Sequence, residues 1–491
     1  MAGRVVSGLA WTTASSIVRN IVSLLQIAIL TRFLNKADFG TIAIAQLFVS
    51  FTNLFLDMGV SAGIIYKQKI SEGEYSSLFW LNIFFGVVLT AILFYISPLL
   101  TSNYHSEDLT NVVQIICFSI LISAIGNQQR TYSQKKAYFK RMAIIESTGS
   151  LITIIVAIFS AIKGFGVYSL AYSTIAGSFV VNLTYFLVGT IKDYKVKFHF
   201  SLKEIIPFLR IGIFQVGSSI LDFITRELDI FIVSATLGLE FLGVYNIAKR
   251  VPMALYSFIQ PIISKVFTPL LAEINNDKKL LKYNYIKMSK SLSWFSFPMY
   301  FLVAAVSPTI ITILFGCDYL EGIPVMMVFC FRLAFSGVNG ICGALQVATG
   351  RTDIGLKWTI YSIGSTALFY FVSAQLGICA FLIGMILLVI VNVFVVWVIQ
   401  FKPMTDVSMN EYLQIYSESF FICLLLSIVV FYIHNGSSLI YAIVAATLYV
   451  SVYCVLIINS KDGGDVLDVI NALPLPKKIK QLVFKFSKKS K

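Results

Sequence analysis

Long apolar segments, separated by short stretches that contain charged residues, recur along the whole chain. A helix that crosses the hydrocarbon core of a bilayer, roughly 30 Å thick, needs about 20 apolar residues. By that measure the pattern predicts fourteen membrane-spanning helices, at residues 8–31, 39–64, 76–98, 109–129, 142–162, 167–190, 207–236, 241–266, 286–307, 323–348, 356–375, 377–399, 412–432 and 438–458. The connecting segments are too short for a folded domain, which takes about 50 residues or more. Function is therefore expected within the helices.

Basic residues alternate between the two sets of connecting segments. One set holds 21 lysines and arginines, and the alternate set holds three, Arg32, Lys36 and Lys163. Cytoplasmic loops carry the excess of basic residues in membrane proteins. The bias, together with the even number of predicted spans, predicts that both termini lie in the cytoplasm.

Composition agrees with an all-α polytopic membrane protein. Hydrophobic residues make up 57% of the chain and charged residues only 13%, whereas soluble proteins have about 25% charged residues. The net charge of +14 is explained by the topological bias, so nucleic-acid binding is not expected. The apolar run that begins at Val5 is too long for a signal peptide. The seven cysteines form no C-x-x-C pair, so neither a disulfide framework nor a metal site is predicted.

The second half of the chain repeats part of the first at an offset of 203 residues. Ser15-Ser16-Ile17 aligns with Ser218-Ser219-Ile220, Leu34 with Leu237, Gly40 with Gly243, and Ile44-Ala45 with Ile247-Ala248. Six spans separate the repeats, so both have the same orientation. We predict an N-terminal lobe at residues 1–200 (spans 1–6), a C-terminal lobe at 201–402 (spans 7–12), two further spans at 403–460, and a tail at 461–491.

The tail is basic. Lys477 to Lys491 contains seven lysines, with Ile479, Leu482, Val483 and Phe486 at helical spacing. This pattern is typical of an amphipathic helix that lies on anionic lipids at the cytoplasmic surface. A disordered basic tail that only reinforces the topology explains it equally well.

Several cations fall near the middle of predicted spans, where ionised groups are costly and are by default a functional hypothesis. They are Arg19, Arg226, Lys249, Arg250 and Arg332. Three acids, Asp222, Glu227 and Asp229, can balance three of these five cations, which leaves two positive charges in excess. A cationic cavity suits an anionic substrate, because a guanidinium group matches the oxygens of a phosphate.

Structural explanations compete with binding at some of these positions. Arg226 lies four residues after Asp222 and three before Asp229, so either acid can pair with it on one helical face. Arg19 and Arg332 have no acid close in sequence, which makes them the better candidates for anion binding, although an acid on another helix can still pair with them. Asp57 and Glu146 lie near the ends of spans and are interpreted as solvated edge charges.

The acids Asp57, Asp222, Glu227 and Asp229 are also candidates for binding a coupling ion, Na⁺ or H⁺, or for gating. A sodium site needs several oxygen ligands, and no spacing in the sequence brings these four acids together. No other cofactor and no catalytic residue is predicted.

Several short motifs resemble those of polysaccharide-transporter flippases. The chain contains Gly8-x-x-Trp11, Gln26-x-x-x-Leu30-x-Arg32-x-Leu34, Asp38-Phe39-Gly40, Asp57-Met-Gly-Val with Ile64-Ile65 after it, Leu78-Phe-Trp-Leu-Asn82, Gly166-Val-Tyr-Ser-Leu-Ala171, Leu242-Gly-Val-Tyr-Asn-x-Ala248 and Pro261-Ile-Ile-x-x-Val-Phe-x-Pro269. Their order resembles the colanic-acid-exporter group of the multidrug/oligosaccharidyl-lipid/polysaccharide flippase superfamily.

The resemblance implies two six-helix lobes, arranged in a V with two further C-terminal helices, and transport by alternating access. It implies an undecaprenyl-pyrophosphate-linked oligosaccharide as substrate, moved from the inner to the outer leaflet of the bacterial cytoplasmic membrane for synthesis of a lipopolysaccharide or exopolysaccharide. Polysaccharide assembly proteins are candidate partners. Related groups hold the diphosphate with cations in the first, seventh and eighth helices, which corresponds by helix only to Arg19, Arg226, Lys249 and Arg250.

Two other functions remain open. A multidrug/cation antiporter of the same superfamily would bind organic cations and is expected to offer acids rather than excess cations. A membrane polysaccharide polymerase or ligase would need polar catalytic residues on a sizeable external loop, whereas the three histidines, His105, His199 and His434, are scattered over loops.

Overall fold

In the computed structural model the chain is mainly helical within the residues described, which are 2–57, 59–67, 69–104, 106–263, 267–275, 277–433 and 439–459. No strand occurs within these ranges. Helices are expected here because a backbone surrounded by lipid has to satisfy its polar groups internally. The predicted all-α polytopic fold is confirmed.

Twenty-one α-helices follow one another within the described residues. They are α1 (Ala2–Leu30), α2 (Lys36–Asp57), α3 (Val60–Tyr66), α4 (Glu72–Thr101), α5 (Glu107–Ile116), α6 (Phe118–Lys135), α7 (Phe139–Ile162), α8 (Tyr168–Lys192), α9 (Leu202–Thr236), α10 (Gly238–Ala248), α11 (Arg250–Ile262), α12 (Thr268–Glu273), α13 (Lys278–Ala305), α14 (Ser307–Leu314), α15 (Gly322–Asn339), α16 (Ile341–Thr349), α17 (Thr352–Gln375), α18 (Ile378–Val396), α19 (Lys402–Thr405), α20 (Met409–Ile433) and α21 (Leu439–Asn459). A π-helical turn, Trp397–Phe401, continues α18.

Where the structure describes them, all fourteen predicted spans coincide with helices, and several of these spans contain two helices. Within the described residues, nine helices are long and apolar enough to cross a membrane, or eleven if two bent pairs each form one span. The predicted spans at 241–266, 356–375 and 438–458 are not among those eleven. The count of fourteen therefore stays a prediction.

The chain divides into two compact units, Met1–Ile247 and the part that begins at Ala248. In the first unit α7 packs against both α1 and α8, α8 packs against α6, and α9 packs against α2, α3 and α4. In the second unit α13 packs against α15 and α20, and α17 packs against α18. The lobe boundaries predicted from the sequence at 200 and 402 stay predictions.

Aromatic side chains fill the core of the second unit. Phe297 on α13 makes edge-to-face contacts with Phe335 on α15 and Phe420 on α20, with ring centroids 5.0 and 6.0 Å apart. Such contacts stabilise a pair by about 0.5–1.5 kcal/mol beyond the area buried. They join three helices that lie far apart in the sequence.

Two glycines related by the sequence repeat bring α2 and α10 into backbone contact within the first unit. A Cβ atom built on Gly40 would lie 2.0 Å from the carbonyl oxygen of Leu239, and one built on Gly243 would lie 1.9 Å from the carbonyl oxygen of Lys36. The repeat offset relates Gly40 to Gly243 and also Lys36 to Leu239. The contact is therefore reciprocal, which gives structural support to the repeat.

Some positions interpreted from the sequence lie outside the described residues, namely His105, His434 and the basic tail at 461–491. His199 is among the described residues and is exposed. Its Nε2 atom lies 3.1 Å from Oε2 of Glu204. The seven cysteines are all free thiols.

The glycine contact predicts that Gly40→Ala and Gly243→Ala each destabilise the protein. The added methyl group would meet a backbone oxygen, which cannot move aside as a flexible side chain can. We expect a loss of about 1–3 kcal/mol in the free energy of unfolding, the usual cost of overpacking. The measurement is the midpoint of thermal unfolding in detergent.

Gly364→Ala is the matched control, because Gly364 lies in α17 with no heavy atom within 4 Å of an added Cβ. Alanine favours a helix by up to about 1 kcal/mol over glycine, so its midpoint should stay the same or rise. Native midpoints for both Gly40→Ala and Gly243→Ala would contradict the close approach of α2 and α10.

Candidate functional site

Glu146 forms ion pairs with two arginines among the helices of the first unit. Arg19 Nη1 forms an ion pair with Glu146 Oε2. Arg130 donates to Glu146 Oε1 through Nη2 at 2.9 Å and through Nε at 3.2 Å. The hydroxyl of Tyr185 donates to the same oxygen at 3.3 Å. We call these four residues the arginine–glutamate cluster.

Four helices supply one residue each to the arginine–glutamate cluster. Arg19 comes from α1, Arg130 from α6, Glu146 from α7 and Tyr185 from α8. The packing of α7 against α1 and α8, and of α8 against α6, brings these residues together. Helices α1, α7 and α8 are apolar along most of their length, whereas the second half of α6 is polar.

The charges of the cluster do not cancel. Two guanidinium groups share one carboxylate, which leaves one positive charge in excess. Glu146 is 14% exposed, whereas Arg19 and Arg130 are 34% and 52% exposed. The arginines therefore present the excess charge on the accessible side of the cluster, where a second anion can approach them.

The interpretation of Glu146 as a solvated edge charge is wrong, because its carboxylate is largely enclosed by these ion pairs. Arg130 was missed as a candidate, since the predicted fourth span ended at residue 129, whereas α6 continues to Lys135. A signal for it is present in the sequence. Asn127, Gln128 and Gln129 precede Arg130, and such a polar run inside a span is expected to contact other polar groups.

Arg226 lies on an exposed position of α9. Its Nε donates to the backbone carbonyl of Asp222 at 3.3 Å. Among the described residues no carboxylate pairs with Arg226. The structure therefore does not show the predicted alternative, in which Asp222 or Asp229 neutralises Arg226. Asp229 instead is buried and accepts a hydrogen bond from the hydroxyl of Tyr245 at 2.8 Å.

Lys249 and Arg250 lie where the predicted eighth span is interrupted. Lys249 falls between α10 and α11, is 8% exposed, and is followed by Arg250 as the first residue of α11. Interrupted helices are the usual place for substrate sites in transporters, because the freed backbone groups can bind ligands.

Arg332 is partly buried on α15, in the second unit. Its guanidinium carbon lies 5.9 Å from the centroid of the Phe329 ring. A cation over an aromatic face gains about 0.5–1 kcal/mol at exposed sites and more where water is excluded.

Two of the acids proposed for coupling have distinct surroundings. Asp57 ends α2 and accepts hydrogen bonds from the backbone amide of Ser61 at 3.3 Å and from Asn127 Nδ2 at 3.1 Å. Glu227 lines a small cavity of about 280 Å³ between α2 and α9, with Phe51 and Phe223 among its apolar neighbours. Among the described residues, no three histidine, cysteine, aspartate or glutamate side chains are placed to hold a metal ion.

The second unit contains an apolar groove of about 520 Å³. Helices α13, α15, α18 and α20 form it, and its walls include Phe301, Met327, Phe331, Ile386 and Phe431. A groove of this size and lining suits a hydrocarbon chain.

The chain matches the model of a family described as polysaccharide biosynthesis protein, over residues 29–324. It is 26% identical over 420 residues to the lipopolysaccharide biosynthesis protein WzxC of Escherichia coli K12, covering 84% of this chain and 83% of WzxC. It is 27% identical over 388 residues to the teichuronic acid biosynthesis protein TuaB of Bacillus subtilis 168, covering 76% of this chain and 77% of TuaB.

The fold is similar to that of the lipid II flippase MurJ in an inward closed conformation. The TM-score is 0.68 over 91% of this chain and 98% of that chain, at 15% sequence identity. Since the family match spans more than half of the sequence, this chain belongs to the polysaccharide biosynthesis protein family.

Proposed function

We propose that this protein is a transporter, not an enzyme, that moves an undecaprenyl-pyrophosphate-linked oligosaccharide from the inner to the outer leaflet of the bacterial cytoplasmic membrane. Transport occurs by alternating access, with both termini in the cytoplasm, and serves synthesis of a surface polysaccharide. Membership in the flippase-like family and the names of its relatives support the class of substrate.

One observation carries the proposal, namely the excess positive charge of the arginine–glutamate cluster. A lipid diphosphate brings at least two negative charges, and partly exposed guanidinium groups can bind its oxygens bidentately. An antiporter for organic cations would be disfavoured by the same charge. The apolar groove of the second unit supports the proposal further, because it offers a surface for a prenyl chain.

The energy source stays a prediction. Asp57 and Glu227 are the acids best suited to a role in coupling, since Asp57 caps an interrupted span and Glu227 lies against an apolar cavity.

The net charge of the cluster can be varied in steps. Arg19→Gln and Arg130→Gln each reduce it from one positive charge to zero, while the double variant Arg19→Gln/Glu146→Gln returns it to one. We expect each single variant to lower the rate of flipping at least tenfold, because a charged hydrogen bond contributes about 1.5–3 kcal/mol. The double variant should recover most of the native rate.

The measurement is the flipping of a fluorescent polyprenyl-diphosphate oligosaccharide in proteoliposomes, expressed per folded protein. Lys163→Gln is the control, because Lys163 is exposed and lies at the C-terminal end of α7, whereas Glu146 lies near its start. If Arg19→Gln flips at the native rate, the cluster is not on the substrate path. If only the folded yield falls, and the double variant restores it, the ion pairs are structural.

Arg226→Gln separates binding from stability. Since no described carboxylate pairs with Arg226, its removal should leave the midpoint of thermal unfolding close to the native value. We expect flipping to fall about tenfold if Arg226 contacts the diphosphate. Native flipping in this variant would exclude Arg226 from the substrate path, and a lowered unfolding midpoint would assign it a structural role.

A further inference from the structure

A basic pocket lies at one end of the helices that carry the arginine–glutamate cluster. Its volume is about 1190 Å³, and it is an open pocket lined by the N-terminal part of α1, the turn between α6 and α7, the first turns of α7, and the last turns of α8. Four basic residues line it, Lys136, Lys140, Arg141 and Lys192. We call it the basic pocket.

Of the described residues that line the basic pocket, one is an acid, and it is already paired. Asp193 Oδ2 accepts a hydrogen bond from Arg141 Nη2 at 2.6 Å. Within the part of the chain that the structure describes, Lys136, Lys140 and Lys192 pair with no carboxylate. The pocket therefore carries three positive charges in excess, more than the arginine–glutamate cluster does.

The walls of the pocket are apolar and aromatic. Trp11, Phe139, Ile144 and Val188 line it, and the ammonium group of Lys140 lies 5.5 Å from the centroid of the Trp11 ring. Trp11 and Ile144 are 39% and 50% exposed. A soluble anion would gain nothing from these exposed apolar side chains, whereas the hydrocarbon chain of a lipid would bury them.

The position of the pocket fits the head-group level of a membrane. It lies on the side that the distribution of basic residues assigns to the cytoplasm. Basic pockets between membrane helices on that side bind the head groups of anionic lipids. Its inner wall adjoins the arginine–glutamate cluster, because Ile145 and Thr184 line the pocket and directly precede Glu146 and Tyr185.

We propose that the basic pocket is a binding site for the phosphate head group of a membrane lipid. The three lysines bind the phosphate oxygens, and the apolar wall takes the start of the hydrocarbon chain. An anionic phospholipid and a polyprenyl diphosphate both have this chemistry. The site is distinct from the cluster, and the proposal does not require that the protein transports anything.

Binding is measured on the full-length protein in neutral detergent by microscale thermophoresis. The probes are short-chain phosphatidylglycerol, a short-chain polyprenyl diphosphate and inorganic pyrophosphate. The triple variant Lys136→Gln/Lys140→Gln/Lys192→Gln should bind the lipids at least tenfold more weakly, whereas the triple arginine variant at the same positions should bind them within threefold of the native affinity. Binding should also weaken with rising salt, because exposed charges are screened.

A matched control is Lys69→Gln/Lys195→Gln/Lys203→Gln. These three lysines are exposed, lie in connecting segments assigned to the same membrane face, and do not line the pocket. The control removes the same number of charges, so it should keep native affinity. A change in tryptophan emission on lipid binding that is absent in Trp11→Phe would place the lipid in the pocket.

Each source of the phosphate gives a different result. Tighter binding of phosphatidylglycerol identifies a bound membrane lipid, and tighter binding of the polyprenyl diphosphate identifies a loading site for the proposed substrate. The proposal is overturned if neither lipid binds, if the glutamine triple binds as tightly as the native protein, or if pyrophosphate binds as tightly as the lipids. Lipid binding without any flipping would contradict the proposed transport function, but the basic pocket would still be identified as a lipid-binding site.

Discussion

One carboxylate pairs with two guanidinium groups within the first helical unit, and this pairing links residues from three helices, with Tyr185 of a fourth helix bonded to the same carboxylate. An ionised side chain between apolar helices is costly unless another charge or a polar group compensates it. Glu146 compensates Arg19 and Arg130 only in part, since it supplies one negative charge for two positive ones. The same contact that stabilises the packing of α1, α6, α7 and α8 therefore leaves the site positive, and structural and functional explanations of Arg19 are not exclusive.

The internal repeat has a physical counterpart in the contact between α2 and α10. Gly40 and Gly243 each face the backbone of the other helix, and the residues they face are themselves related by the repeat. A reciprocal contact of this kind is the self-complementary surface expected around a two-fold axis. Because backbone atoms form this contact, a residue larger than glycine at position 40 or 243 would collide with the other helix. The sequence comparison identified the two glycines as equivalent, and the structure adds the reason why both are glycines.

How much of this follows from the sequence differs between elements. The apolar runs predict where helices lie, because a segment in hydrocarbon has no alternative to a helix. They do not predict interruptions such as the break at Lys249, since composition changes little across it. The partner of Arg19 is 127 residues away in the sequence. Pairing between distant helices depends on tertiary packing, whereas spacing rules reach only three or four residues along one helix. By those rules Arg19 has no acidic partner, and Glu146 is interpreted as an edge charge.

The basic pocket and the arginine–glutamate cluster lie close enough for their charges to interact. Lys140 and Glu146 are six residues apart on α7, which corresponds to about 9 Å along a helix. This distance is near the Debye length at physiological salt, about 8 Å, and screening is weaker where protein and lipid exclude water. A phosphate held at the lysines would thus experience the excess charge of the cluster. For the proposed lipid diphosphate, two positive sites of this kind would favour passage, because the head group could approach the second site before it left the first. A single deep cationic site would instead have to draw the anion from water in one step, with the full cost of desolvation.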